Sequence, residues 1–179
     1  STDTHDLETM MLASGALDDL LNEFGFESRI AREGGDVRPM LLESGRPLGY
    51  LRWLSSSTDY DVSLRLKGLP IASVIDDRTL HVRLDALIRE LEKRSGRKVP
   101  NKKGLLRKVT RLLLTGRHDP WPVCCGHDLV QILTLGLQNV FGNRKARNLS
   151  AAIVDSILRL SYRYVHFAQT ELFRSIIEW

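Results

Sequence analysis

The stretch HDLVQILTLGLQNVF, residues 127–141, is apolar around nearly its whole circumference when it is drawn as a helix. A helix at a protein surface is apolar on one side only, whereas a helix that is apolar all round lies in the interior. The stretch therefore predicts a buried central helix around which the other segments pack. Asp128 followed by Gln131 resembles a capping box, so we interpret His127 and Asp128 as a structural motif and expect Asp128 to cap this helix.

Apolar stripes and capping residues predict further helices on both sides of the central one. They are a segment from Thr4 or Asp6 to Leu12, Ala16–Phe24 capped by Ser14 and ended by Gly25, residues 37–54 with a kink or split at Pro47, residues 83–95, a helix capped by Asn101, Ser150–Arg163 and Phe167–Trp179. Glycine, proline and charge predict loops at residues 26–36, 117–126 and 142–148.

Three short apolar segments indicate strands instead. Val62, Leu64 and Leu66 alternate with polar residues, and Ile71–Ile75 and Leu80–Val82 follow after Pro70. Such runs predict a small antiparallel sheet. The predicted fold is therefore mainly α with a small antiparallel β element, an α+β class.

The composition indicates one soluble domain. The chain has 179 residues, of which 42% are hydrophobic and 27% charged, and this excludes disordered, collagen-like and coiled-coil proteins. We expect a single domain over residues 1–179, without a membrane segment or membrane partner. The adjacent Cys124 and Cys125 exclude a disulfide framework and predict a cytoplasmic location. Because the sequence starts at Ser1 and stops inside a predicted helix, we expect it to be part of a longer protein.

Charge is distributed unevenly along the chain. Residues 1–36 carry nine acidic side chains against two arginines, a net charge of −7. Residues 89–117 carry eleven basic side chains against two glutamates, a net charge of +9. The two regions either meet within the fold or bind different ligands, and a solvated face is the simplest interpretation of either one.

The basic region contains a candidate nucleic-acid surface. Lys103, Arg107 and Arg111 recur every four residues, opposite a stripe that contains Leu105 and Val109, and so form a basic row along one helix. The predicted nucleic-acid-binding residues are Lys102, Lys103, Arg107, Lys108, Arg111, Arg144, Lys145 and Arg147. Aromatic residues are not interleaved with them, so a platform for stacking single-stranded bases is not predicted. The alternative is that the row pairs with acidic residues between 18 and 36, within the chain or across a dimer.

The acidic start of the chain contains a candidate metal site. Asp3, Asp6 and Glu8 are candidate ligands, because carboxylate oxygens are the ligands that Mg²⁺ and Mn²⁺ prefer. The alternative is structural: Asp6 caps a helix, and Glu8 favours its positive N-terminus. The sequence lacks the G-x-S-x-G, Walker and G-x-G-x-x-G motifs.

Five stretches resemble one known family. They are residues 2–9 (TDTHDLET), 48–53 (LGYLRW), 103–106 (KGLL), 126–129 (GHDL) and 167–179 (FAQTELFRSIIEW). On these stretches the chain resembles the C-terminal part of the Toprim-associated family called domain of unknown function 4435. The resemblance implies a helical extension of a Toprim-like nuclease, and some such proteins act beside an ABC-type ATPase in phage defence.

The same resemblance implies roles for the acidic residues. Asp6 and Glu8 would be catalytic, and Asp3, Asp6 and Glu8 would form one corner of a metal site. The family's first-strand Glu and its Asp-x-Asp, which precede these residues, are missing from this sequence, so either they lie before Ser1 or the protein has lost catalysis. Mg²⁺ or Mn²⁺ would bind only with the help of those residues. We therefore expect the chain by itself to be inactive.

Two functions follow from this sequence. The first is the C-terminal helical portion of a metal-dependent nuclease, offering an acidic corner of the metal site and a basic surface for nucleic acid. The alternative is a non-catalytic interaction module that docks an ABC-type ATPase or a second protomer through its helices.

Overall fold

The computed structural model describes residues 6–56, 68–96, 98–99, 101–116 and 119–179, and these are mainly helical, as predicted. The α-helices are α1 (Leu7–Ala13), α2 (Gly15–Phe24), α3 (Glu27–Arg32), α4 (Arg38–Ser56), α5 (Ile71–Val74), α6 (Leu84–Ser95), α7 (Lys102–Thr115), α8 (Gly126–Asn139), α9 (Ala151–Ser161), α10 (Tyr164–Phe167) and α11 (Glu171–Ile177). A 3-10 helix, Arg144–Asn148, lies between α8 and α9.

Helix α8 is the centre of the fold. It packs against α1, α4, α5, α9 and the 3-10 helix. Leu129, Ile132, Leu133 and Leu137 on α8 are fully buried, and they belong to one apolar cluster that extends from Met11 to Leu158. The prediction of a buried central helix is confirmed.

Local capping determines where several helices begin. Asp6 caps α1 by accepting a hydrogen bond from the Thr9 backbone N–H at 2.9 Å, and Ser14 caps α2. Asn101 caps α7 by accepting from the backbone N–H of Gly104. Each cap satisfies a backbone donor that has no partner inside the helix, so these predicted starts are confirmed.

Helix α4 passes through Pro47 without ending there. Proline removes one backbone donor from a helix. Leu41, Leu48 and Leu51 on either side of Pro47 are nevertheless buried in the core, and this packing holds the two halves in one helix. Of the two expected outcomes at Pro47, the split does not occur, and the kink stays a prediction.

Two predictions of irregular or extended structure are also wrong. Residues 26–36 contain α3, whose start is tied to the core by a hydrogen bond from the Phe26 N–H to the carbonyl of Phe141 at 2.8 Å. Residues 71–74 form the single helical turn α5 rather than a strand. A short apolar run is compatible with either structure, and here the contacts of α5 with α6 and α8 favour the helix.

The β structure of the described residues consists of isolated antiparallel bridges. They join Gly25 to Gly142 and Ile75 to Val82. The predicted alternation at Val62, Leu64 and Leu66 lies outside the described residues.

The last third of the chain also differs in detail from the prediction. The segment expected to be a loop at residues 142–148 contains the 3-10 helix. The final predicted helix, Phe167–Trp179, is shorter in the structure, where α11 covers Glu171–Ile177, and the separate turn α10 precedes it at Tyr164–Phe167. The side chains of Tyr164 and Phe167 both meet Phe173 edge to face, which joins α10 to α11. In the described part of the chain, every helix is too short or too polar to span a lipid bilayer.

Candidate functional site

One carboxylate, that of Asp6, caps two helices. Its Oδ1 accepts from the Thr9 N–H at the start of α1, and its Oδ2 accepts from the Gly126 N–H at the start of α8 at 2.8 Å. The Thr9 hydroxyl in turn accepts from the Asp6 N–H at 2.9 Å, which completes a capping box. The structural interpretation of Asp6 is therefore confirmed.

Close approach makes this double cap possible. A Cβ atom on residue 126 would lie 2.2 Å from Oδ1 of Asp6 and 2.4 Å from Cβ of Glu8. Only glycine leaves the space for the first turns of α1 and α8 to meet around a shared carboxylate.

Glu8 is held by an ion pair with α9. Its Oε1 accepts from Nη2 of Arg159 at 2.5 Å, and Nε of Arg159 also donates to Asp155 at 2.8 Å. The hydrogen bond to Asp155, more than its contact with Glu8, raises the pKa of Arg159. The Glu8 carboxylate therefore faces a permanently charged guanidinium.

The described carboxylates do not form a site that fits Mg²⁺ or Mn²⁺. Oxygens of Asp6 and Glu8 accept from protein donors, and Asp3 lies outside the described residues. The residues that the structure describes contain no group of three His, Cys, Asp or Glu side chains arranged to hold a metal ion. The catalytic and metal-binding roles of these residues stay predictions.

Asp128 does not cap α8, so that prediction is wrong. Cys125 occupies the capping position without a side-chain hydrogen bond, and Asp128 lies within the first turn. The carboxylate of Asp6 has already taken the backbone donor at the start of α8. Asp128 instead faces Arg52 of α4, which binds it through both terminal guanidinium nitrogens. His127 beside it is exposed.

The Arg52–Asp128 pair is mostly withdrawn from water. The side chain of Asp128 is 5% exposed and that of Arg52 is 31% exposed. Burial by itself would lower the pKa of Arg52, but the hydrogen bond and the charge of Asp128 more than offset it, and the pKa is raised. The sequence did not reveal this pair because Arg52 and Asp128 are 76 residues apart. One signal was present: an arginine placed between the apolar Leu51 and Leu54 needs an acidic partner if it is buried with them.

The two adjacent cysteines are free thiols with suppressed ionisation. Burial raises the pKa of Cys124 to about 12, and burial also raises the pKa of the half-buried Cys125. Because the thiolate is the nucleophile and the metal ligand, neither side chain is prepared for those roles at neutral pH.

The basic row on α7 is exposed, as predicted. We call Lys103, Arg107 and Arg111 the α7 ridge; all three are exposed, while Leu105 and Val109 on the other side of α7 are buried. Successive ridge residues are about 6 Å apart along the axis, and the whole ridge spans about 12 Å. Within the described residues, none of the three forms an ion pair. Lys108 is exposed beside the ridge, and Lys102 lies 3.9 Å from Asp85.

The acidic residues near the start of the chain pair elsewhere. Asp18 and Asp36 contact Arg38 at 2.8 and 3.1 Å, Asp19 contacts Arg163 at 3.1 Å, and Glu23 contacts Lys145 at 2.5 Å. These contacts use arginines and a lysine outside α7. These four acidic side chains, from residues 18–36, therefore pair with cations outside α7 and form no ion pair with the α7 ridge.

The second basic group does not continue the α7 ridge. Arg144, Lys145 and Arg147 are exposed on the 3-10 helix, and Lys145 is already paired with Glu23. The 3-10 helix packs against α2 and α8, whereas α7 packs against α4. The two basic groups are thus anchored to different helices.

Further exposed apolar side chains, which the sequence did not single out, lie in the last part of the described chain. Large apolar side chains are exposed there on α9, α10, α11 and the last residue: Ile153, Leu160, Tyr164, Val165, Ile176, Ile177 and Trp179. Leu160 is 83% exposed. A group of large apolar residues in contact with water is typical of an interaction surface.

Comparison with known proteins adds no assignment to these surfaces. No protein-family model, curated protein or solved structure gives a significant match to this chain. The resemblance to the Toprim-associated family therefore stays a prediction.

Proposed function

We propose that this protein binds the phosphate backbone of nucleic acid through the α7 ridge. The observation that carries the proposal is that the ridge has no acidic partner among the described residues, although the chain has 22 acidic side chains. Two other cations of the basic region 89–117 do have acidic partners, since Lys93 contacts Glu90 at 4.0 Å and Lys102 contacts Asp85 at 3.9 Å.

The ridge has the chemistry that phosphate binding needs. Lysine and arginine side chains bind phosphate oxygens and release the counterions that surround a nucleic acid, so the affinity falls as salt is added. Contacts of this kind position a protein on the backbone without reading bases. We therefore expect binding that depends weakly on sequence and strongly on salt.

In the nuclease that the resemblance suggests, this surface would hold the substrate. The proposal does not depend on catalysis, because the ridge lies on α7 and the candidate catalytic residues lie elsewhere. Asp6 caps α1 and α8, and Glu8 forms an ion pair with Arg159 of α9. A protein without a metal site would bind through the same ridge.

A pair of charge-matched variants tests the proposal. Arg107→Ala/Arg111→Ala removes two ridge cations, and Arg32→Ala/Arg78→Ala removes two exposed arginines from α3 and from the turn after α5. Filter binding is measured for both variants at two salt concentrations. The ridge variant should bind more weakly, with a salt slope that is shallower by about 1.8 if both arginines contact duplex phosphates.

The outcomes separate local contact from overall charge. Equal losses in the two variants would show that only the net charge matters, and the proposal would fail. Unchanged binding by the ridge variant together with loss of dimerisation would instead support pairing of the ridge with the acidic segment of a second copy.

A second candidate function is a protein-interaction module that docks an ABC-type ATPase or a second protomer. The observation that favours it is the number of large apolar side chains exposed on α9, α10 and α11. Analytical ultracentrifugation tests the second-protomer form with Leu160→Gln/Ile177→Gln. The control is Leu114→Gln on α7, because Leu114 is 82% exposed and so nearly matches Leu160. If the double variant is monomeric while the wild type and the control are dimeric, the interaction module is supported. If the wild type is itself a monomer, docking of a second protomer is excluded.

A further inference from the structure

We infer that the nucleic acid held by the α7 ridge is a duplex, contacted along its backbone, rather than a single strand. This inference rests on the proposed function and names the form of its ligand. The spacing of the ridge, the rigidity of α7 and the residues between the cations support it.

The ridge is a rigid row of charges. Leu105 and Val109 hold α7 in the core, the Asn101 side chain caps its start, and Arg46 of α4 donates to the carbonyls of Leu113 and Gly116 at its end. The helix is thus fixed at both ends and along one side. The backbone positions of the ridge residues therefore keep their spacing of about 6 Å along the axis, and their long side chains reach outward from these fixed points.

A duplex presents the higher density of charge to such a row. Both strands together carry one phosphate per roughly 1.7 Å of axis, so about seven phosphates lie within the 12 Å or so that the ridge spans, and those on the near side of the duplex face it. One strand with the same rise offers about half that number. The ridge therefore meets a higher density of phosphate charge on a duplex than on a single strand.

The ridge also lacks what single strands need. Proteins that bind single strands stack the bases on aromatic side chains. Helix α7 contains no aromatic residue, and the exposed side chains that share its outer surface include Thr110 and Leu114. A single strand would bind here through phosphates alone.

Trp53 offers the sharpest challenge to this inference. It is exposed on α4, the helix against which α7 packs, so its indole is a candidate for stacking on a base. Trp53→Leu therefore belongs in the experiment. Duplex binding should be unchanged by this substitution.

The experiment compares three short ligands of one sequence: a DNA duplex, an RNA duplex and a DNA single strand. Fluorescence anisotropy gives the affinity of the full chain for each at several salt concentrations. The duplexes should bind several-fold more tightly than the single strand, and Lys103→Ala/Arg107→Ala/Arg111→Ala should make the duplex salt slope shallower by about 2.7. The two duplex arms show whether DNA, RNA or both are bound.

The failures of the two proposals are distinguishable. A single strand that binds as tightly as the duplexes, or whose binding is lost in Trp53→Leu, overturns the duplex inference while nucleic-acid binding stands. If no ligand binds the wild type at low salt, the proposed function itself fails. Folding of each variant is checked by circular dichroism, and the exposed positions of the four substituted residues make a folding defect unexpected.

Discussion

The buried carboxylate of Asp128 is neutralised by a guanidinium from another helix, and this predicts a large effect of its removal. Asp128→Ala leaves Arg52 partly buried without this carboxylate. Breaking a buried ion pair costs roughly 3–5 kcal/mol. We expect a loss near the lower end of that range in urea denaturation, because the Arg52 side chain is 31% exposed and water screens it in part.

Two further variants check this prediction. Asp77→Ala removes an exposed carboxylate and should change the free energy of unfolding by less than about 0.5 kcal/mol. Replacing both members of the pair with apolar residues of similar size should restore much of the loss, since the uncompensated charge is then gone. A loss below about 1 kcal/mol for Asp128→Ala would show that the pair contributes no more than a helix cap.

The buried thiol of Cys124 makes stability depend on alkaline pH. Its pKa rises from 9.0 to about 12 on folding, so the folded state favours the neutral thiol. The stabilisation is complete below the unfolded pKa of 9.0 and is lost as the pH rises through the folded value of about 12. The free energy of unfolding should therefore decrease above pH 9, by at most about 1.4 kcal/mol per pH unit from this group.

Cys124→Ala isolates that effect. Urea unfolding of wild type and variant is compared from neutral to alkaline pH, and the wild type should lose stability more steeply. Parallel curves would show that the thiol ionises as easily in the folded protein as in the unfolded chain. Alkylation of the native protein at neutral pH should also leave Cys124 unmodified.

At the scale of elements, two glycines of α4 set how closely it packs. A Cβ on residue 49 would lie 2.1 Å from the carbonyl oxygen of Val123, which is backbone. A Cβ on residue 45 would meet the tip of Leu129 at 2.6 Å and the sulfur of Cys124 at 3.0 Å. Contact with a side-chain end is relieved more easily than contact with backbone.

Gly49→Ala should therefore destabilise the protein more than Gly45→Ala does. Alanine is favoured over glycine in a helix by about 1 kcal/mol, but overpacking typically costs 1–3 kcal/mol. We expect a lower melting temperature for Gly49→Ala and a smaller change for Gly45→Ala. A higher melting temperature for Gly49→Ala would mean that the segment containing Val123 moves aside at little cost.

Helices whose signals are local could be predicted from the sequence. The starts of α1, α2 and α7 follow from Asp6, Ser14 and Asn101, each of which binds a backbone N–H two or three residues ahead. Helices α3 and α5 were missed because their stability depends on distant contacts, such as the hydrogen bond between Phe26 and Phe141. Helix α3 has few apolar residues and so leaves no periodic pattern to detect, and the short apolar run of α5 is equally compatible with a strand.

The candidate site likewise has one part that could be predicted from the sequence and one part that could not. The α7 ridge was predictable because a four-residue spacing places side chains on one side of a helix. The second cap formed by Asp6 and the partner of Asp128 were not, because Asp6 and Gly126 are 120 residues apart and Arg52 and Asp128 are 76 apart. Pairing between distant residues depends on tertiary packing, which no local pattern encodes.

At the scale of the whole molecule, we expect the chain by itself to show no nuclease activity with Mg²⁺ or Mn²⁺. Two-metal catalysis needs several carboxylates around the reacting phosphate. Oxygens of Asp6 and Glu8 accept from the Gly126 N–H and from Arg159 instead. The measurement is a cleavage assay on DNA and RNA with each metal, and metal-dependent cleavage that Glu8→Ala abolishes would contradict the prediction.

The double cap at Asp6 has a consequence for the order of events during synthesis. The backbone donor of Gly126 lies 120 residues after the carboxylate that it binds. At a translation rate of about 5–20 residues per second, Gly126 at the start of α8 is synthesised on the order of 6–24 s after Asp6 at the start of α1. During that interval the buried side chains of α1 and α2, such as Met11 and Leu17, have no core to enter. The nascent chain should therefore be a substrate for chaperones that hold exposed apolar segments until α8 emerges.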